Sequence, residues 1–432
     1  MTRGGFEGLD ACVHCGFCLQ ACPTFLATGD EADSPRGRIE LMRGLERGDI
    51  AATDPALFYH LDRCLGCRGC EPVCPSGVQY GHGLEAARSR ITAARGVPPL
   101  ARLALWALTT PGISPVVYWF ARVLRATGFP RLVAGWGRVR FAMGMLAATK
   151  GGSGRERAGT GGTLRGLTAH SRPIPPATAL LFRGCVMEGL FPHVHEATRR
   201  TLSVNGYETR EVRRQGCCGA LHAHAGLVDE ARALARVNVE AFGDGEEPIV
   251  VNSAGCGALM KEYGRLLGED PDDGSPSPER RGGRGVRFAA RVCDVTELLA
   301  GDGTKGPVAG APLDLHVVYD PPCHLLHAQG VAVQPLKLFA AIPLLELVPV
   351  PGAAECCGSA GLFTLLEPEM SRAVLGAKLE RLREAAPQVV ATGNPGCLMQ
   401  IGAGLAAAGL PARVRHPVEL LDDSYRAAGR YE

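Results

Sequence analysis

From residue 179 onward the chain alternates short apolar, β-branched runs with longer stretches of helical periodicity. Four runs stand out: ALLF at 179–182, IVVN at 249–252, LHVVY at 315–319 and VVAT at 389–392. Between them, 229–241 and 369–384 read as helices, so the pattern is the βαβ alternation of a parallel sheet. Upstream, LALWALTTPGISPVVYWFA at 103–121 runs 19 residues without a charge. Its middle, with Thr109, Thr110, Pro111 and Gly112 followed by Ser114 and Pro115, would break a spanning helix and strand backbone groups in lipid. Two amphipathic helices meeting at a turn are therefore expected. Residues 151–176, 268–287 and 300–312 lack apolar periodicity and read as linkers.

The two C-terminal stretches are one unit repeated. In the first, the apolar runs lead to Cys185 and Cys256, with Cys217, Cys218 and Gly219 between; in the second they lead to Cys323 and Cys397, with Cys356, Cys357 and Gly358 between. Matching cysteines are 138, 139 and 141 residues apart, which a duplication explains. These thiols fall where strands end and helices begin, the edge at which open α/β sheets place ligands. Helix N-terminal amides there favour the thiolate that metals need, and glycine beside the pair allows a tight bend. Cys185, Cys217, Cys218 and Cys256 are expected at one locus, and Cys323, Cys356, Cys357 and Cys397 at another. A further iron-sulfur cluster, a structural zinc and thiols with a redox or structural role all remain open for them. His193, His195, His222, His224, His324 and His327 are weaker candidates, and Cys293 reads as a lone buried thiol.

The N-terminal cysteines are more specific. Cys12, Cys15, Cys18 and Cys22-Pro23 form one C-x2-C-x2-C-x3-C-P string, and Cys64, Cys67, Cys70 and Cys74-Pro75 form a second. This is the ligand run of a two-cluster bacterial ferredoxin, in which the cysteine before proline serves the other cluster. One [4Fe-4S] cluster is thus assigned to Cys12, Cys15, Cys18 and Cys74, and the other to Cys64, Cys67, Cys70 and Cys22. Zinc ribbons also use Cys-x-x-Cys pairs but give no reason for the third cysteine or the proline.

Composition narrows the class further. With 46 basic and 44 acidic residues, nothing suggests a nucleic-acid partner. Residues 1–11 have no apolar core, so no secretory signal is read and a cytoplasmic location, with reduced thiols, is expected. All three tryptophans, Trp106, Trp119 and Trp136, lie within 99–150. Internal packing, a docking face for a partner subunit and contact with a membrane surface are open readings of that segment. No G-x-G-x-x-G follows a strand, so neither NAD nor flavin is expected on this chain.

The sequence resembles the iron-sulfur subunit of glycolate oxidase over nearly its whole length. Beyond the cysteines, the likeness is carried by ACVHCGFC (11–18), GDE (29–31), SPRGRI (34–39), LDRC (61–64), CPSGV (74–78), SAGCGA (253–258), KEYG (261–264) and CCGSAG (356–361). It implies an α+β and α/β chain: a two-[4Fe-4S] ferredoxin-like domain at 1–98, a helical connector at 99–178, and duplicated α/β cysteine-rich CCG units at 179–308 and 309–432. It also implies FAD-binding dehydrogenase subunits as partners and an electron-transfer role in 2-hydroxyacid oxidation, glycolate to glyoxylate first among the candidates. Peripheral contact with the inner face of the cell membrane or with a quinone belongs to the same expectation. Related architectures serve lactate utilisation, anaerobic glycerol-3-phosphate oxidation and heterodisulfide reduction. In the last, the CCG unit closes with Cys-x-x-Cys; here Leu259 and Gln400 stand at the closing positions, which argues against disulfide reduction. Head and repeats are expected to share no ligands and to be held apart by linkers.

Overall fold

The computed structural model describes residues 5–151, 177–268, 282–301 and 306–431. The linker expected at 151–176 lies almost wholly outside these residues, as do most of 268–287 and part of 300–312. The described part of 268–287 is not all irregular: Arg284–Arg291 is helical.

The C-terminal region holds two four-stranded parallel sheets of identical order. The first comprises β1 (Ala177–Leu181), β2 (Tyr207–Glu211), β3 (Ile249–Val251) and β4 (Val292–Asp294), ordered β2-β1-β3-β4. The second comprises β5 (Leu315–Tyr319), β6 (Leu345–Leu347), β7 (Val389–Ala391) and β8 (Arg413–Arg415), ordered β6-β5-β7-β8. The four apolar runs of the sequence are the two central strands of each sheet. Helices cover both faces, so β3 and β7 are buried along their whole length and carry no polar alternation. Strand order reverses between β1 and β3, and again between β5 and β7. The crevice at each reversal opens at the strand C-termini, where the cysteines lie.

The repeats share one core, in which Ala179, Val250 and Val295 of the first join Val317, Leu398 and Val418 of the second. At their seam the Ala254 amide donates to the Gly393 carbonyl (3.1 Å) and the Gly255 amide to Asn394 Oδ1 (3.2 Å).

The head is organised by helices Pro35–Arg47 and Tyr80–Arg95, which bury Ile39, Met42, Leu84 and Ile91 around Phe6 and Leu9. The connector begins with Pro99–Thr109 and Ser114–Ala126, two helices bent 91° from one another at the Thr-Pro-Gly break. No single helix among the described residues is long and apolar enough to cross a membrane. A further connector helix, Arg138–Ala148, lies against Pro395–Ala407 of the second repeat, close enough that a Cβ on Gly144 would come within 3.2 Å of Ala403.

Candidate iron-sulfur centres

The two N-terminal cysteine runs wind identically. Left-handed backbone occurs at His14 and Gly16 in the first loop and at Gly66 and Arg68 in the second, two and four residues after each leading cysteine. Glycine accepts that geometry freely. Arg68, which does not, is held by ion pairs to Glu71 (2.8 Å) and to Glu262 of the first repeat (2.5 Å). This winding makes two basins. Cys12, Cys15, Cys18 and Cys74 line one, with Cys70 on its wall; Cys22, Cys64, Cys67 and Cys70 line the other. The closing cysteine of each run, the one before proline, therefore lies with the opposite run.

The basins differ in exposure and charge. Cys15 is at the surface, flanked by Val13 and Phe17, which are 69% and 67% exposed. Cys22, Cys64 and Cys70 are buried. Beside them Arg38, fully buried, pairs with Asp33 (3.1 Å), donates to Thr24 Oγ1 (2.9 Å) and stands 4.0 Å from Cys22 Sγ. Burial alone would push the Cys64 thiol up, but Arg38 and Arg88, with hydrogen bonds from Tyr80 and the Gly66 amide, hold it below its ordinary range. A buried cation and aligned donors suit an anionic cluster bound by thiolates.

The repeat cysteines also gather. In the first repeat Cys185 Sγ is 3.4 Å from Cys217 Sγ, and Cys218 hydrogen-bonds Cys256. In the second Cys357 Sγ is 3.2 Å from Cys397 Sγ, and Cys323 lies against Cys356. Gly219 and Gly358 adopt φ of 89° and 82°, turning each adjacent pair into its crevice. The hydrogen bond from Cys185 holds Cys217 well below its usual pKa while raising that of Cys185. In the second repeat, mutual contact and burial push Cys356, Cys357 and Cys397 up. Four such thiolates cannot coexist in a dry pocket without a compensating cation, so the donor sets fit a bound metal centre. A tetrahedral zinc, with Zn–S of about 2.3 Å, would hold all four sulfurs about 3.8 Å apart. Among the described residues no three cysteine sulfurs come within 4.8 Å of one another.

The loci differ in their neighbours. Tyr118 of the connector stands beside Cys185 of the first. The second abuts the head: Leu65 and Cys67 pack with Cys323, Cys356 and Phe363 in one apolar cluster. The expected separation of head from repeats is thus overturned at Cys67, because the two regions share an apolar wall instead of being held apart. Lys378, buried and paired with Asp320, places its ammonium behind Cys357 and Cys397. The first repeat has neutral Asn238, bonded to the Cys217 carbonyl and Tyr263, around its cysteine pair.

Sequence reading missed Arg38, Lys378 and Tyr118. Lys378, one of only five lysines, falls on the apolar face of its helix, a signal that was present. The histidines mostly serve structure. His195 bonds the Arg183 carbonyl and Asn252, and His224 packs against His324 across the repeats, 5.3 Å between rings. His324 Nδ1 is 3.6 Å from Cys323 Sγ, His327 approaches Gly69 of the head, and His193 faces Glu419 at 3.7 Å. His222 lies near Cys217 with its Nδ1 buried and unpartnered. Cys293 is half-buried in β4, where it packs against the shared core and its thiol faces the Ile249 carbonyl. Gln400, at one closing position, is buried and bonded to Ser371 and Thr364.

All three connector tryptophans are partly exposed, Trp106 and Trp119 by half; Trp136 is packed, its ring stacked on Phe141 (5.8 Å between centroids) with the Arg372 guanidinium over it, so internal packing accounts for Trp136 and not for the exposed halves of the other two. Residues 86–155 contain no Asp or Glu, whereas 97–150 hold six arginines and one lysine.

The 4Fe-4S dicluster domain family matches residues 8–78, and the cysteine-rich domain family matches 179–261 and 317–402. The chain is 31% identical to the probable glycolate oxidase iron-sulfur subunit of Bacillus subtilis, over 97% of this chain and 94% of that protein. It is also 31% identical to the glycolate oxidase iron-sulfur subunit of Escherichia coli, over 96% and 94%. Lactate utilization protein A of Geobacillus kaustophilus is 31% identical over 56% of this chain. With repeated thiolate basins, duplicated sheets and relatives that match end to end, the chain belongs to the family of glycolate oxidase iron-sulfur subunits.

Proposed function

We propose that this chain is the electron-transfer subunit of a flavin-dependent dehydrogenase that oxidises glycolate to glyoxylate, with FAD-binding subunits as its partners. Two [4Fe-4S] clusters are assigned to Cys12, Cys15, Cys18 and Cys74, and to Cys64, Cys67, Cys70 and Cys22; when bound, such centres accept and release one electron at a time. The reading rests on the gradient in the thiolate basins, from one at the surface to one that is buried and walled by the cysteines of the second repeat. Val13 and Phe17 offer an apolar landing beside the exposed basin, where a flavin-bearing subunit would dock. The second-repeat cysteines, with Lys378 behind them, are assigned to a further iron-sulfur centre, and those of the first repeat to a metal site of their own. The exposed aromatics and arginines of the connector support peripheral attachment to the inner face of the membrane.

The full chain, purified anaerobically, should carry about eight iron atoms in the head alone. It should reduce dyes with glycolate only when the flavin subunits are added. Zinc in place of iron, or glycolate oxidation by the isolated chain, overturns the reading. Because lactate utilization protein A matches over 97% of its own length and 56% of this chain, lactate is the second substrate to test in the reconstituted complex.

A further inference from the structure

A cavity of about 560 Å³ opens where head, connector and both repeats meet. Its walls are mostly apolar: Leu65 from the head, Ala101 from the connector, Leu221 from the first repeat, and Phe363 and Leu366 from the second. Cys64, a cysteine of the buried basin, forms part of the same wall, and Ala360 follows the second CCG pair by three residues. A second cavity of comparable size, about 470 Å³ between the head and the first repeat, is lined by no cysteine.

A two-carbon hydroxy acid does not fit this chamber. Its carboxylate would need a free cation, and both cations on the wall are engaged. Arg88 donates to the carbonyls of Leu61, Cys64 and His224, and Arg95 pairs with Asp62 while lying over the Phe58 ring, 4.1 Å from its centroid. The aromatic rings of Phe58, Tyr59 and Phe363 suit a flat, uncharged ring instead, and His224 brings an imidazole for its oxygens. One wall is Pro98 and Ala101, at the start of the connector helix that exposes Leu103 and Trp106 on its outer side. An apolar tail leaving the cavity there meets the connector, a segment rich in arginine and without Asp or Glu, which suits anionic lipid.

We propose that this cavity binds a membrane quinone, the two-electron acceptor of the complex; the proposal rests on the electron-transfer reading above. The hydroxy acid loses two electrons and two protons as its C–OH becomes C=O. The quinone takes up the two electrons and two protons from water, its two C=O groups becoming C–OH.

The test uses the full chain with its clusters intact and the quinone-site probe 2-heptyl-4-hydroxyquinoline N-oxide, followed by quenching of the probe's fluorescence. Saturable binding near one probe per chain is expected. Leu366→Trp and Ala101→Phe fill the chamber from the second repeat and from the connector, and each should weaken binding at least tenfold with iron content and EPR spectra of the reduced head unchanged. The probe should also perturb the EPR signal of the buried centre and leave that of the exposed one alone. Absence of binding to a chain that shows both head signals, or binding unaltered in both variants, overturns the proposal while the electron-transfer reading stands. Loss of the head signals themselves would instead sink that reading.

Discussion

Arg38 places a full positive charge in the dry half of the head, 4.0 Å from the Cys22 sulfur, and Asp33 there is also held by Arg63 and His60. A cation so placed favours the more negative, reduced form of a centre bound by Cys22, Cys64, Cys67 and Cys70. Arg38→Met should lower the midpoint potential of that centre by on the order of 100 mV, since one charge at this range is worth roughly 2–4 kcal/mol at an effective dielectric near 20. An EPR redox titration reads it: equal shifts in both head centres would show that the charge acts on neither in particular. Cys22→Ser makes a sharper distinction. It should alter the spectrum of the buried centre and leave that of Cys12, Cys15 and Cys18 as it was, whereas conversion of the exposed centre would reverse the assignment of Cys22 and Cys74. The cysteines were legible because their spacing is the chemistry. Arg38 was not, because one arginine among 46 basic residues carries no mark of burial until the fold closes over it.

At the level of elements, the sequence disclosed the strands that are enclosed and hid those that are not. β1, β3, β5 and β7 stand out because helices cover both of their faces, which demands continuous apolar residues. β2, β4, β6 and β8 lie at sheet edges; YETRE, VCD, LEL and RVR are short or polar and give no periodic signal. The connector shows the reverse. Its break at Thr110 to Gly112 was plain from composition, but the side its helices turn outward was not, because Trp106, Trp119 and Leu132 would have served equally well in a core. Replacing those three with Ser should release the chain from vesicles containing phosphatidylglycerol in a sedimentation assay. Retention of the triple variant, or equal binding to neutral vesicles, would refute lipid attachment by this face. Where Arg138–Ala148 meets the second repeat the contact is tight, and Gly144→Leu should cost about 1–3 kcal/mol in thermal unfolding through overpacking against Ala403.

Across the whole molecule, the contact of Leu65 and Cys67 with Cys323 and Cys356 was beyond the reach of sequence, since it joins residues more than 250 positions apart without any shared motif. It changes what a double substitution should do. Replacing Cys356 and Cys357 with Ser should remove metal from the second repeat and leave the exposed head centre untouched, but the signal of the buried centre should shift because its wall has changed. Flavin reduction by glycolate in the complex should proceed while electron delivery to the acceptor falls; full turnover with full metal content would confine these cysteines to a structural part. The same wall also favours an order of assembly. Once the second repeat has seated on Cys67, that side of the inner basin is roofed over by protein, and iron and sulfide are left the chamber that Cys64 lines as a way in. The head should therefore load most readily before the repeats close on it, and a molecule that folds ahead of its cofactor supply would have to fill its inner basin through that chamber.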